Sequence, residues 1–370
     1  MQTPDPTTSE PKTRLPGLDA LRAFSIVWVV IFHLENCFAT IPTGPVADWI
    51  RKGINGVTIF FVISGFLITT LLLDEEERRG RISLCAFYRR RAFRILPAAC
   101  VYLGVASAVA RFTGMAWYPP EWLGSAFFFR NLVTGNWSGL TSHFWSLSVE
   151  EQFYLVWPVA VVLSHRRHRA WATVALCLAA PVWRHVVTKL AHGGPINIGR
   201  LDLIYDALLI GAALALLQRN QGFKSLLDRP FLAPVVLVVA AGGFGYLTLN
   251  PLPFGMVGVV AKPTVHLACI AAVIKVLVEG RCLPIQIACA WAPVVWLGKI
   301  SYSLYLWHMI FLVPVVFTGW HLGWRLACIL ACASASYYWI ERPMLRLRTS
   351  LASSKPRDPN SQKPSTSEPA

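Results

Sequence analysis

At 370 residues, with 55% hydrophobic side chains, only 14% charged ones and a mean hydropathy of +0.50, the chain lies far from the roughly 25% charge of a soluble domain. That excludes an ordinary soluble enzyme. It also argues against nucleic acid as a partner despite a formal net charge of +15, because the basic residues cluster between apolar runs, as they do on the cytoplasmic face of membrane proteins. The nine cysteines lie mostly in apolar segments without a CxxC pair, so they read as small buried hydrophobes and not as a metal site or disulfide framework.

Residues 1–14 are polar and proline-bearing, and residues 349–370 are rich in Ser, Pro, Thr and Lys. Both read as disordered tails around one membrane domain over residues 15–348. No signal peptide is visible, so the first apolar run is expected to serve as its own insertion signal. The fold class expected is all-α: a polytopic membrane bundle of about ten transmembrane helices of roughly 20 residues each. They fall near 17–38, 54–73, 95–114, 144–164, 171–187, 201–217, 231–249, 264–279, 291–317 and 322–341. With both termini cytoplasmic, RRGRISLCAFYRRRAFR (78–94), HRRHR (165–169), the Arg219/Lys224/Arg229 linker, Lys275/Arg281 and RPMLRLR (342–348) all fall inside. Only scattered bases such as Arg51, Lys52, Arg111, Arg130, Lys189 and Lys262 fall outside, which is the positive-inside pattern.

The first run, residues 15–38, carries Arg22 and His33. Their spacing puts them on one helical face, roughly 16 Å apart. Ionisable residues at such depth face a protein interior or a wet cavity; alternatively Arg22 snorkels to the headgroups and His33 only packs. The next loop is the most basic, and FYRRRAFRILP enters the third span with Arg91 and Arg94 on one face and Arg90 and Arg94 as the other close pair. Retention of the loop inside needs only charge. The absence of lysine between Glu77 and Pro97 points further, to forked guanidinium donors suited to phosphates.

Residues 115–143 form the longest outer loop, rich in Trp, Phe, Gly and Pro, with a sequon at Asn136; its aromatic residues suit an interfacial belt or sugar stacking. The fourth span opens with HFWSLSVEEQFYLVWP, where Glu150 and Glu151 are adjacent. Side by side in a helix, they cannot share a face, so one is expected in the bundle and the other at a neighbouring interface or rim. Carboxylates at this depth are costly unless they serve chemistry or ion coupling. The sixth span carries Asp202 and the deeper Asp206, which needs a partner; His266 reads as an interfacial residue. In WLGKISYSLYLWHMIF, Tyr302, Tyr305 and His308 recur every three residues, with Lys299 near the inner side; Glu341 and Arg342 close the last span before Pro343.

This layout sorts the odd residues into an outer group (His33, Glu150, Glu151, Asp206, His308) and a cytoplasmic group (Arg22, Arg90, Arg91, Arg94, Lys299, Arg342). An anionic cytosolic donor serving an acceptor on the far face fits this arrangement, and so does a proton-coupled transporter of a glycan or small anion.

The motifs GLDALRAFSIVWVVIFH, FFVISGFLIT, YRRRAFRILP, FWSLSVEEQFYLVWP, DALLIGAALA, LGKISYSLYLWH and YYWIERP, in this order along nearly the whole chain, resemble the acyltransferase family 3 membrane proteins. The resemblance implies an O-acyltransferase (EC 2.3.1.-) of the cell membrane. It would move an acyl group, acetyl by default, from acyl-CoA as co-substrate to a glycan or lipid-linked sugar, without a resident cofactor or metal. Glycan-assembly proteins and membrane lipids are its implied partners. His33 and Glu150 carry over as catalytic residues acting as one unit, with His33 as base or transient acyl carrier. Arg22, Arg90, Arg91 and Arg94 carry over as the CoA-binding set; beside them, Glu151, Asp206, Tyr305 and His308 are expected from their own positions as a supporting polar cluster. Ile204 departs from the pattern where many relatives carry arginine, and Arg200 stands one turn earlier. Many relatives add an extracellular hydrolase-like domain; here a short polar tail follows, so a second transfer step is expected to need a separate protein.

Overall fold

A computed structural model describes residues 15–38, 41–134, 139–190, 201–220, 222–223, 232–250, 262–280 and 282–353. The tail at 1–14, most of that at 349–370, the sequon at 136–138 and Arg200 lie outside these residues. The described chain is all-helical. Its helices are α1 (Pro16–Phe38), α2 (Pro45–Ile50), α3 (Ile54–Arg79), α4 (Leu84–Thr113), α5 (Pro119–Ala126), α6 (Phe144–Leu163), α7 (Arg169–Leu190) and α8 (Leu201–Leu217). They continue with α9 (Leu232–Leu249), α10 (Lys262–Glu279), α11 (Leu283–Cys289), α12 (Ala292–Leu312), α13 (Leu322–Ser336) and α14 (Arg342–Ser353).

Every expected span contains a helix. Among the described residues, five helices are long and apolar enough to cross a membrane (α1, α3, α4, α7 through Val187, and α9), or six if α11 and α12, bent by 59° at their junction, form one crossing. The others are shorter, as α8 is, or spend apolar length on charge, as α6 does with its paired glutamates.

Two helix crossings set the frame. α3 meets α8 backbone to backbone: a Cβ on Gly65 would lie 1.8 Å from Leu208 O, and one on Gly211 only 2.0 Å from Val62 O. α12 meets α1 the same way at Gly298, where a Cβ would lie 2.2 Å from Asp19 O. Small residues permit this approach, which van der Waals packing rewards where lipid removes the usual hydrophobic drive. The second crossing brings Lys299 level with Asp19 and Arg22.

Two boundaries that bear on the site differ from the expected ones. α3 runs six residues past position 73 and stops at Gly80, whose φ of 69° gives the left-handed cap. α4 begins at Leu84, where Ser83 Oγ accepts from Ala86 N at 3.4 Å, well before the expected start at 95. The arginine run is therefore already helical and belongs to the bundle wall.

The acidic run after α3's apolar part ties together the basic end. Asp74 and Glu77 pair with Arg219, Glu75 with Arg90 and Arg79, and Glu76 with Arg166 and Arg169. Segments expected on one side of the membrane are thus in contact at one end of the molecule.

The loop at 115–143 is not a simple surface loop. α5 and a 3-10 turn (Arg130–Leu132) fold against α6. Arg130 N donates to Ser148 Oγ at 3.1 Å, and Gln152 Nε2 donates to Phe128 O at 2.9 Å and Asn131 Oδ1 at 2.8 Å. Arg130, expected among the scattered outer bases, is fully buried against Glu121 at 3.0 Å.

Candidate active site

A cavity of about 460 Å³ lies between α1, α3, α4, α6 and α12. Its wall on α3 runs from Val57 to Leu71, roughly 21 Å at the helical rise. Arg22, Arg91, Arg94 and Lys299 line it, together with Asp19, Glu150, Glu151 and Glu341. Arg91 stacks its guanidinium 4.3 Å from the Tyr154 ring centroid. Among the described residues, Arg22, Arg91 and Arg94 are in no salt bridge, so their donors are not spent on carboxylates. Arg90 is the exception in the run: its Nη2 lies 2.6 Å from Glu75 Oε2 and it does not line the cavity.

The acidic pair divides as its helical spacing demands. Ser64 Oγ donates to Glu150 Oε1 at 2.8 Å, and Glu150 feels the charges of Arg91 and Arg22 with the Tyr154 hydroxyl beside it. Glu151 stands at the α4–α6 interface, shared between the main cavity and a side pocket of about 160 Å³ roofed by Phe128. Both carboxylates therefore lie with the arginines, not with the imidazoles as the two-group division expected. That division began the third span at 95 and so left Arg91 and Arg94 outside the bundle.

Glu341 reaches the cavity through a local change of helix type. Residues Tyr337–Glu341 form a π-helical turn between α13 and α14, a feature frequent at functional sites. Tyr337 and Glu341 both line the cavity, and Ser303 Oγ donates to Glu341.

The imidazoles form a separate group. His33 and His308 have ring centroids 5.0 Å apart, and His143 follows 5.3 Å from His308. His33 Nδ1 bonds Val29 O at 2.9 Å and His308 Nδ1 bonds Tyr305 O at 2.7 Å. A carbonyl only accepts, so each Nδ1 carries the proton and each Nε2 is bare when the ring is neutral. No imidazole lines the cavity, and no hydrogen bond or ion pair links His33 to Glu150 among the described residues. Tyr305 joins the two groups: its hydroxyl lines the cavity beside Ser146, and its carbonyl holds His308.

Asp206 belongs to neither group. Its Oδ2 meets Arg184 Nη2 at 2.6 Å, which ties α8 to α7. Arg184 thus supplies the partner that Asp206 needed. His266 packs, stacked on Phe244 at 4.3 Å with Nε2 3.0 Å from Thr248 Oγ1. His143, Ser64, Ser146 and Arg184 were not singled out from sequence. Ser64 and Ser146 lie inside the FFVISGFLIT and FWSLSVEEQFYLVWP motifs and His143 directly precedes the second, whereas nothing local marked Arg184.

The sequence profile described as "Acyltransferase domain" matches residues 15–340. The chain belongs to acyltransferase family 3. Similar family members include the putative peptidoglycan O-acetyltransferase YrhL of Bacillus subtilis, 30% identical over 89% of this chain and 55% of the relative. The O-acetyltransferase OatA of Staphylococcus aureus is 28% identical over 80% of this chain and 50% of its own, and the peptidoglycan O-acetyltransferase OatA of Listeria monocytogenes is 25% identical over 91% and 57%. The chain spans about half the length of these curated relatives. No solved structure matches it. Family membership and apolar helices together make it a membrane protein of this family.

Proposed function

We propose that the chain takes an acyl group, acetyl in the simplest case, from acyl-CoA at its basic, cytoplasmic end and transfers it to a hydroxyl of an envelope glycan at the opposite end. The observation that carries this reading is the convergence of Arg22, Arg91 and Arg94, free of salt bridges among the described residues, on one elongated cavity that stops just short of the imidazoles. Guanidinium forks suit the phosphates of CoA, and the cavity's length lets the pantetheine arm carry the thioester inward. Glu150, held by Ser64, keeps Arg22 and Arg91 ordered from within the wall.

His33 is half-buried near the end of α1, placed to meet an acceptor from the far end. Its bare Nε2 takes the hydroxyl proton as the oxygen attacks the thioester carbon. The C–S bond breaks and the proton passes to the CoA sulfur. A positioned imidazole base is worth roughly 10²–10⁴ in rate. The relatives' names point to peptidoglycan as the first acceptor to test. Family membership favours transfer over the proton-coupled transport that the same residues would suit.

Purified protein in detergent, given acetyl-CoA and soluble peptidoglycan fragments, should release free CoA and acetylate the fragments. Acceptor uptake into vesicles without any CoA requirement would instead support transport and overturn this reading.

A further inference from the structure

Two hydroxyls stand between the cavity and the imidazoles. Ser146 Oγ and Tyr305 OH lie 2.5 Å apart at the cavity's inner end, and they lie 3.2 and 3.1 Å from the same carbonyl, that of His143. One hydroxyl proton fills the contact between them and the other goes to the carbonyl, so the three groups close into one latch. His143 faces both ways. Its carbonyl anchors the latch, while its ring, 1% exposed, packs beside His308, which is fully buried. Nε2 of His308 is buried without a hydrogen-bond partner, and the ring nitrogens of His143 are buried with only the Leu306 carbonyl as a loose partner. Buried nitrogens without good partners are costly, and their gathering next to His33 makes an imidazole cluster that a hydroxyl-bearing acceptor, able both to donate and to accept, would satisfy.

We propose that Tyr305 and Ser146 form a hydroxyl latch that directs the acyl group to the acceptor alcohol in preference to water, with His143 coupling acceptor binding to its release. This deepens the acyl-CoA reading and rests on it. With the latch closed, a thioester in the cavity has no imidazole base within reach, so water entering from the arginine end does not hydrolyse it. A hydroxyl-bearing acceptor arriving from the far end donates to the His143 ring. His143 is the residue immediately before α6, at the end of a turn, and its carbonyl also accepts a long bond of 3.4 Å from Ser146 N; in the opening step its peptide tilts and withdraws the carbonyl from the Tyr305 and Ser146 hydroxyls. The imidazole cluster then opens onto the cavity. His33 removes the hydroxyl proton, the new C–O bond forms, the C–S bond breaks, and the proton ends on the CoA thiol.

The test uses the full chain in detergent. Diethylpyrocarbonate modification, read per histidine by peptide mass spectrometry, should be roughly tenfold or more slower at His143 and His308 than at the exposed His165 and His168. Tyr305→Phe and Ser146→Ala each remove a latch hydroxyl. Each should speed labelling of His143 and His308, and acetyl-CoA hydrolysis without acceptor, by up to roughly tenfold, the equivalent of one neutral hydrogen bond. Acetyl-CoA binding is measured alongside, so that hydrolysis is compared at equal occupancy. Ser146→Ala is the smaller change and carries the test if Tyr305→Phe fails to insert. Wild-type labelling of His143 and His308 as fast as of His165 overturns the seal, and so do labelling and hydrolysis unmoved in both variants. Faster labelling without faster hydrolysis, in protein that binds acetyl-CoA, overturns the partition alone. A wild-type protein that binds no acetyl-CoA overturns the donor reading and the partition with it.

Discussion

Arg90 and Arg91 are neighbours with opposite attachments: Arg90 Nη2 lies 2.6 Å from Glu75 Oε2, while Arg91 stacks on Tyr154 in the cavity wall. Arg91→Ala and Arg94→Ala should therefore each raise the KM for acyl-CoA by roughly 10- to 100-fold, as expected for losing a charge-assisted contact worth about 1.5–3 kcal/mol. Lysine at either position should rescue only part of the loss, because the fork is gone. Arg90→Ala should leave KM alone and lower stability by about 1 kcal/mol, read by thermal unfolding in detergent. A KM effect at Arg90 equal to that at Arg91 would contradict this division.

His33→Ala should lower turnover by roughly 10²–10⁴ while acyl-CoA binding is kept. A double-mutant cycle between His33 and His308, whose rings touch, should be strongly non-additive. The cycle between His33 and Glu150 should be closer to additive, because Glu150 is bound to Ser64 and lies among the arginines. Transfer assays on quantified, inserted protein decide it, and a His33–Glu150 coupling larger than the His33–His308 coupling would restore the direct pairing of the first two.

The pair of buried Asp206 and partly buried Arg184 should behave as a structural clasp. Arg184→Ala strips the buried carboxylate of its guanidinium, which costs up to about 3–5 kcal/mol, and Asp206→Asn, which leaves the partly exposed Arg184 its other contacts, costs less. Replacing both, as Arg184→Met with Asp206→Leu, should recover much of the loss. Yield of folded protein on size exclusion measures this, and a stable but inactive Asp206→Asn would point instead to a role in the reaction.

Cys85 is exposed in the basic segment between α3 and the arginine run. A membrane-impermeant maleimide should miss Cys85 in intact cells and label it in inverted vesicles. Labelling in intact cells would reverse the assignment of sides.

The sequence makes the helices legible because apolar runs and arginine clusters are local, and each expected span contains one. Tyr305 and His308 were also legible, since three-residue spacing puts them on one face. The separate fates of Arg90 and Arg91 were not, because they depend on Glu75, which reaches Arg90 alone of the two from another helix. The inward fold of residues 119–132 was hidden for a related reason: a Trp- and Phe-rich composition looks the same at an interface and in a wedge. The early start of α4 depended on a single cap at Ser83, and this one boundary moved Arg91 and Arg94 in among the carboxylates.

The acidic run at the end of α3 has a consequence for how the protein is made. While the helices enter the bilayer one after another, Arg90, Arg166, Arg169 and Arg219 are bare charges, available to hold their segments back from crossing. The partners that later neutralise them, Glu75, Glu76, Glu77 and Asp74, are synthesised first, but Glu76 meets Arg166 and Arg169 only after α6 has emerged, and Asp74 and Glu77 meet Arg219 only after α8. The same guanidinium groups thus act first as signposts for insertion and then as rivets of the finished bundle. Substitutions in 74–77 should leave the direction of insertion intact and show themselves later, as helices that are threaded correctly and then fail to close ranks.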